Sequence, residues 1–157
     1  QVLVGSSMGG WIMLLAALQR PQRIAGLVGI AAAPDFTRDL IPKALTPEQL
    51  QALDQQGFCD IPNCYDDQEP YRIRKSLLDD GDNHLLLNGA ISLDVPIRLI
   101  HGIEDHDVPW QTALKIMERV RSEDVEVQFV KGGDHRLSEP HDLERLTRTV
   151  NALLESF

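Results

Sequence analysis

The first twenty residues constrain the fold of this chain more than any other stretch. An apolar, β-branched run at residues 2–4 leads into a Gly-x-Ser-x-Gly turn centred on Ser7. Residues 11–18 are then apolar on almost every side, as in a buried helix, until Pro21 ends the pattern. A strand that turns sharply into a buried helix opens a βα unit, and successive βα units build a mostly parallel sheet. The opening therefore predicts an α/β fold.

The turn at Ser7 has the spelling of a nucleophile elbow. In that motif a strained strand-to-helix turn exposes a serine hydroxyl at the edge of the sheet. We expect Gly5 and Gly9 to be required because strand and helix approach each other too closely for side chains. A glycine-rich turn that merely contains a serine is the alternative, and the motif alone does not exclude it.

The composition is that of one compact globular piece, and its charge argues against two classes of partner. The 157 residues are 43% hydrophobic, which is enough for a sizeable core. A net charge of −9 argues against nucleic acid and anionic membrane surfaces as partners. The sequence contains no apolar run suited to a stable membrane anchor.

The two cysteines, Cys59 and Cys64, lie in one stretch that reads as a loop. They form either a small disulfide or, as we expect for a cytoplasmic-type protein, two reduced thiols. Further ligands at metal spacing are lacking, so we expect no metal, and nothing in the sequence implies a cofactor.

Three further apolar runs continue the α/β rhythm. Residues 24–33 and 97–101 read as buried parallel strands, and the more alternating residues 125–130 read as a strand near the sheet edge. A helix opened by Pro109 separates the last two strands, and an amphipathic helix ending at Phe157 closes the chain. We assign residues 1–34 and 90–157 to the core of the fold.

Residues 35–89 interrupt this rhythm and are predicted to form an inserted cap or lid. The segment is acidic, with one helix starting at Thr46-Pro47 in a capping-box spelling and another over residues 71–78. A surface excursion without a role in substrate binding is the alternative. Its apolar residues either line an acyl pocket or pack the insertion onto the body: Leu40, Ile41, Leu45, Leu50, Leu53 and Phe58.

An acid and a base follow two of the later strands. A serine hydroxyl needs a base to take its proton and an acid to orient that base. Asp105 follows the strand ending at His101, and His135 follows the strand ending near Val130. Because parallel strands end at one edge, Ser7, Asp105 and His135 should meet there.

The acid has rivals in neighbouring carboxylates. Asp107 ranks next after Asp105, although it could instead cap the following helix, and Glu104 and Asp134 are further candidates. His101 ends a strand beside Gly102, and we expect it to support the loop that carries the acid.

One half of an oxyanion hole is expected at Met8. Its backbone N–H directly follows the nucleophile at a helix N-terminus. A second donor normally comes from a loop after an earlier strand, which this sequence does not contain. Losing one donor costs about 10²–10³ in rate, so the chain alone is expected to be a feeble catalyst.

Four motifs together resemble those of the serine α/β-hydrolases. They are Gly-Ser-Ser7-Met-Gly-Gly-Trp, the block from Leu99 to Trp110, Gly-Asp-His135-Arg, and residues 83–87 of the insertion. More narrowly, they resemble the branch of palmitoyl-protein thioesterases and acyl-glucuronide esterases with its bacterial relatives. The resemblance implies Ser7 as nucleophile, Asp105 as acid and His135 as base. It also implies that this chain is the C-terminal portion of an N-terminally truncated hydrolase.

These observations predict a serine hydrolase that cleaves small acyl esters or thioesters, or an acylated protein, through an acyl-enzyme. The alternatives are a serine peptidase of the same fold and a catalytically inert fragment or binding module. If strands are missing, residues 2–4 would form an exposed edge through which the chain self-associates. We expect a cytoplasmic location, or a mitochondrial one for a eukaryotic relative.

Overall fold

A computed structural model describes residues 1–62 and 69–157. The strands in these ranges are β1 (Val2–Ser6), β2 (Gly26–Ile30), β3 (Phe58–Ile61), β4 (Tyr71–Arg74), β5 (Ile97–Gly102) and β6 (Val125–Val130). The α-helices are α1 (Met8–Gln19), α2 (Phe36–Asp39), α3 (Ile41–Ala44), α4 (Pro47–Gln56), α5 (Lys75–Gly81), α6 (Gln111–Arg119) and α7 (Pro140–Leu154). Single 3-10 turns occur at Pro21–Arg23 and Asp82–His84.

The chain divides into two compact units. The first contains residues 1–34 and 86–157, and the second contains residues 35–85. The second unit corresponds closely to the predicted insertion at 35–89, whose role as a cap stays a prediction. Each unit has a hydrophobic cluster of its own.

The first unit is built on a parallel sheet in the order β1-β2-β5-β6. Val2 lies opposite Gly26, Leu27 opposite Ile97, and Ile97 in turn opposite Val125. All five residues of β2 are buried, as expected for a central parallel strand between helices. The predicted α/β fold with a mostly parallel sheet is confirmed.

Several predicted boundaries move by a few residues. The run at 24–33 forms a strand only over β2, because Ala31 takes a positive φ of 44° and the chain turns away from the extended path. The helix after Pro109 begins at Gln111. The last helix runs from Pro140 to Leu154 and so ends three residues earlier than predicted.

The second unit corrects two sequence-based assignments. Residues 58–61 and 71–74, interpreted as a loop and the start of a helix, form the antiparallel pair β3–β4. The pairing buries Cys59 and Ile73 on one face, and on the other Arg72 bonds to Asp60 through two nitrogens. The alternation of buried and exposed residues therefore has the period of a strand, and the helix starts only at Lys75.

Three of the six apolar residues named for the insertion pack inside this unit. Leu45 and Leu53 are buried in a cluster with Cys59 and Ile73, and Ile41 packs against it. The predicted capping box is confirmed, since the Gln49 N–H donates to Thr46 Oγ1 and the Thr46 N–H to Gln49 Oε1. Cys59 is a free thiol, whereas Cys64 lies outside the described residues.

In the part of the chain that the structure describes, β1 forms one edge of the four-stranded sheet and Val4 is half exposed there. Self-association through residues 2–4 stays a prediction. Within the same residues, the structure has no helix long and apolar enough to span a bilayer.

Candidate active site

Ser7 occupies the turn between β1 and α1 in a strained backbone conformation. Its φ of 52° and ψ of −121° lie in a region that costs a non-glycine residue about 1–3 kcal/mol. The Ser7 N–H donates to the Ile30 carbonyl at 2.9 Å, and the Ser7 carbonyl accepts from the Ala33 N–H at 3.0 Å. Hydrogen bonds to the last residue of β2 and to the segment after it thus hold the serine in this conformation.

The glycines of the elbow have different roles. A Cβ on Gly5 would lie 2.3 Å from the Gly9 carbonyl oxygen, so Gly5 permits the close approach of strand and helix. The same expectation for Gly9 was wrong, because a Cβ there would meet no atom of the described residues within 4 Å. The second tight position is Gly10, whose Cβ would lie 2.5 Å from that of Ala32. The sequence offered no signal to separate the adjacent glycines.

Met8 is the first residue of α1. The first four N–H groups of a helix have no acceptor within that helix, and they carry the positive end of its dipole. The Met8 N–H therefore belongs to a set of donors suited to an anionic oxygen formed beside Ser7.

Asp105 lies in the loop after β5, and its side chain is fully buried. Oδ1 accepts the N–H groups of Asp107 at 2.9 Å and Val108 at 2.8 Å. Oδ2 lies 2.8 Å from His135 Nδ1 and 3.2 Å from His101 Nε2. Donors thus surround a carboxylate that would otherwise be costly to bury.

His135 stands on the loop after β6, and this loop runs beside the Asp105 loop. The Ile103 N–H donates to the Val130 carbonyl at 2.9 Å, and the Glu104 N–H to the Gly133 carbonyl at 3.0 Å. A Cβ on Gly102 would lie 2.2 Å from the Gly133 oxygen, so only glycine allows this spacing. The paired loops place His135 next to Asp105.

The structure brings all three sequence-predicted side chains together. His135 Nε2 lies 3.0 Å from Ser7 Oγ, and the opposite ring nitrogen lies on Asp105. Because a carboxylate only accepts, His135 Nδ1 carries a hydrogen in this contact. In the neutral ring Nε2 then has a free lone pair directed at the Ser7 hydroxyl, which is the arrangement of a serine, a base and an orienting acid.

The ionisation states of Asp105 and His135 follow from their burial and from their contact with each other. Burial raises the pKa of Asp105, but hydrogen bonds from His101, His135 and the Val108 N–H outweigh it and hold that pKa well below its ordinary range. Partial burial lowers the pKa of His135, whereas its hydrogen bond to Asp105 and the charge of that carboxylate raise it above the ordinary 6.5. The charges of Asp107 and Asp134 act in the same direction. Asp105 therefore stays anionic and stabilises protonated His135.

The rival carboxylates lie at the surface, beside the buried Asp105. Glu104, Asp107 and Asp134 are exposed. Asp107 contributes its backbone N–H to Asp105, and Trp110, not Asp107, occupies the N-cap of α6. Asp134 accepts the N–H groups of Arg136 and Leu137 through Oδ1 and thereby closes the turn after β6.

Asp105, Asp107 and His135 also place potential metal-ligating atoms within 4.8 Å of one another. Both oxygens of Asp105 already face nitrogen donors, and the positive ends of these N–H dipoles would oppose a cation. The donor set suits a hydrogen-bonded acid and base better than a metal ion.

The sequence matches the model of the prolyl oligopeptidase family over residues 1–156. Together with the parallel sheet and the Ser7–His135–Asp105 geometry, this match identifies the chain as a member of that family of α/β hydrolases. The resemblance to serine α/β-hydrolases is thereby confirmed.

Two mammalian relatives refine this placement. The chain is 38% identical to the human mitochondrial palmitoyl-protein thioesterase ABHD10 over 157 residues, 99% of this chain and 50% of that protein. The mouse protein of the same name is 39% identical over 99% of this chain and 52% of its own length. This chain therefore spans about half the length of the curated relatives it matches.

Solved structures give the same result. An Agrobacterium vitis protein named as a hydrolase superimposes with a TM-score of 0.90 at 37% identity, covering 97% of this chain and 60% of that one. Mouse α/β hydrolase domain-containing protein 10 superimposes with a TM-score of 0.87 at 38% identity, covering 99% and 62%. The fold is thus that of known α/β hydrolases.

Proposed function

We propose that this chain carries the catalytic triad of a serine hydrolase that cleaves acyl thioesters and esters through an acyl-enzyme. The observation that carries the proposal is the continuous line of contacts from Ser7 Oγ through the His135 ring to Asp105, with distances of 3.0 and 2.8 Å. Both lie within the reach that proton transfer and orientation require.

Acylation would begin at Ser7. As Oγ bonds to the acyl carbon, its proton passes to His135 Nε2 and the carbonyl oxygen takes the negative charge. The Met8 N–H donates to that oxygen, while Asp105 stabilises the imidazolium. The carbon–sulfur or carbon–oxygen bond then breaks, and the leaving group takes the proton from His135.

Deacylation would repeat these steps with water. His135 accepts a proton from water as the water oxygen bonds to the acyl carbon. When the bond to Ser7 Oγ breaks, the proton returns to Oγ and a carboxylic acid is released. Serine, histidine and aspartate end the cycle as they began it.

The name of the mammalian relatives supports a thioester on an acylated protein as the substrate class, and small acyl thioesters share the same reacting bond. The family's own name supports a second candidate, hydrolysis of a peptide bond. For the compartment, the relatives' names support a mitochondrial location in a eukaryote, and the cytoplasmic location stays a prediction.

The test compares one acyl group on three leaving groups. The chain is incubated with a medium-chain acyl thioester, the matching oxyester and the matching anilide, and acid release is followed by mass spectrometry. The proposal expects release from thioester and ester, loss with Ser7→Ala, and retention with Ser6→Ala, whose serine is exposed one residue away. Preference for the anilide would favour the peptidase. Equal release by the wild-type protein and Ser7→Ala would contradict both enzymes and favour an inert chain.

A further inference from the structure

A second histidine contacts the acid of the triad. His101, at the end of β5, is 1% exposed, and its Nε2 lies 3.2 Å from Asp105 Oδ2 and 3.0 Å from the Val108 carbonyl oxygen. Oδ2 is also the oxygen that faces His135 Nδ1. One carboxylate oxygen is therefore shared by two imidazole rings.

The contacts of His101 fix which of its ring nitrogens carries hydrogen. Both groups that face Nε2 are oxygens without a hydrogen to donate, a carboxylate and a backbone carbonyl. Nε2 must therefore be the donor, and its N–H is shared between Asp105 and Val108. The Val108 N–H in turn donates to Asp105 Oδ1, so Asp105 and His101 bind the N–H and the carbonyl of the same residue.

We propose that His101 is a positioning residue of the triad, a role that rests on the proposed function. Its Nε2–H holds Oδ2 of Asp105 in the orientation that receives His135, and it draws part of the carboxylate's negative charge away from His135. The second effect sets how strongly His135 holds its proton. His101 itself touches neither the substrate nor the reacting atoms.

Removing this donor changes the pKa of His135 in a predictable direction, because the Asp107 and Val108 N–H groups on Oδ1 still keep the carboxylate beside His135. Without His101 Nε2–H, the charge of Asp105 acts more fully on His135 and stabilises its protonated form. The pKa of His135 therefore rises, and a higher pH is needed before its neutral form can accept the Ser7 proton. A residue that only fills space would change stability and leave this titration unmoved.

The test uses variants of similar size that differ in the donor. His101→Leu removes the N–H, whereas His101→Gln keeps a side-chain N–H donor. Titration of the His135 ring by NMR in the whole chain should show a midpoint about 0.5–1 pH unit higher in His101→Leu than in the wild-type protein, with most of the shift reversed in His101→Gln. Equal midpoints in the three folded proteins would overturn the proposal.

A measurement on the wild-type protein covers the case in which His101→Leu does not fold. The ring ¹⁵N shifts of His101 should report hydrogen on Nε2, with slow exchange because the ring is buried. Hydrogen on Nδ1 instead would overturn the proposal. These spectra need no catalysis, and reaction of Ser7 with a fluorophosphonate in the wild-type protein tests the proposed function separately. The proposal about His101 and the proposed function can therefore fail independently.

Discussion

Gly102 lies so close to Gly133 that a Cβ on Gly102 would come within 2.2 Å of the Gly133 carbonyl oxygen. This contact joins the ends of β5 and β6 at the point where the Asp105 and His135 loops begin. The placement of Asp105 next to His135 therefore depends on a glycine that contacts neither side chain.

Gly102→Ala should separate the two loops. We expect a loss of about 1–3 kcal/mol in the free energy of unfolding, because backbone atoms must shift to accept the methyl group. The reaction of Ser7 with a fluorophosphonate should slow as well, because His135 loses its alignment. Urea unfolding and labelling kinetics measure the two effects.

Gly132→Ala is the matched control, since a Cβ there would have no described atom within 4 Å. Its free energy of unfolding should stay within about 0.5 kcal/mol of the wild-type value. Equal destabilisation by both substitutions would mean that crowding at Gly102 is not the cause.

The two glycines of the elbow should respond differently to alanine. Gly5→Ala forces its methyl group against the Gly9 carbonyl, and we expect roughly 1–3 kcal/mol of destabilisation. Gly9→Ala adds a methyl group in open space inside α1, where alanine is favoured by up to about 1 kcal/mol, so that variant should be as stable as the wild-type protein or more so. Urea midpoints for the pair decide between this result and the sequence-based expectation that both positions need glycine.

A comparison of Asp105→Asn with Asp107→Asn should show which of the two carboxylates acts as the acid. The amide has one acceptor oxygen for two sets of donors, the Asp107 and Val108 N–H groups at one position and the rings of His135 and His101 at the other. The anionic charge that stabilises the imidazolium is also lost, and such a change costs about 10⁴ in rate. Asp107→Asn should change the rate only a few-fold, because it keeps the backbone N–H on Asp105 and removes only an exposed charge near His135. Rates of acyl-ester hydrolysis compare the variants, and a larger loss in Asp107→Asn would transfer the role of the acid to Asp107.

The pH dependence of the reaction should follow His135. Its pKa lies above the ordinary 6.5, and the ring accepts the Ser7 proton only when neutral. The rate of labelling at Ser7 should therefore rise with pH through a midpoint above 6.5.

The free energy of unfolding should also depend on the protonation of His135, but it should fall as pH rises, whereas the labelling rate should increase. A pKa that folding raises gives stabilisation that is complete below the unfolded value near 6.5 and is lost as pH rises through the folded value. His135→Phe should abolish this part of the pH dependence. Urea unfolding between pH 5.5 and 9 measures it, and stabilisation that increases with pH across that range would contradict the assignment.

Local sequence patterns were enough to predict the main sheet and the trio of side chains. Ser7, Asp105 and His135 lie in the turn or loop that follows β1, β5 and β6, so parallel pairing brings them to one edge. The hairpin of the second unit was missed because β3 and β4 have four residues each, too few for their alternation to stand out from a loop or a helix start.

The finer details of the site depend on contacts between distant residues. The different roles of Gly5, Gly9 and Gly10 are decided by which backbone or side-chain atoms approach each one. The sequence indicated that His101 supports the acid loop, but its two acceptors became visible only with the backbone of Val108 in place.

The most direct test of the triad is covalent labelling of Ser7. The intact chain is treated with a fluorophosphonate, and the modified peptide is identified by mass spectrometry. We predict one adduct on Ser7 that is lost in Ser7→Ala and His135→Ala and kept in Ser6→Ala and in His106→Ala, a histidine exposed beside Asp105. A folded protein that leaves Ser7 unmodified, or that reacts equally fast without His135, would contradict the account.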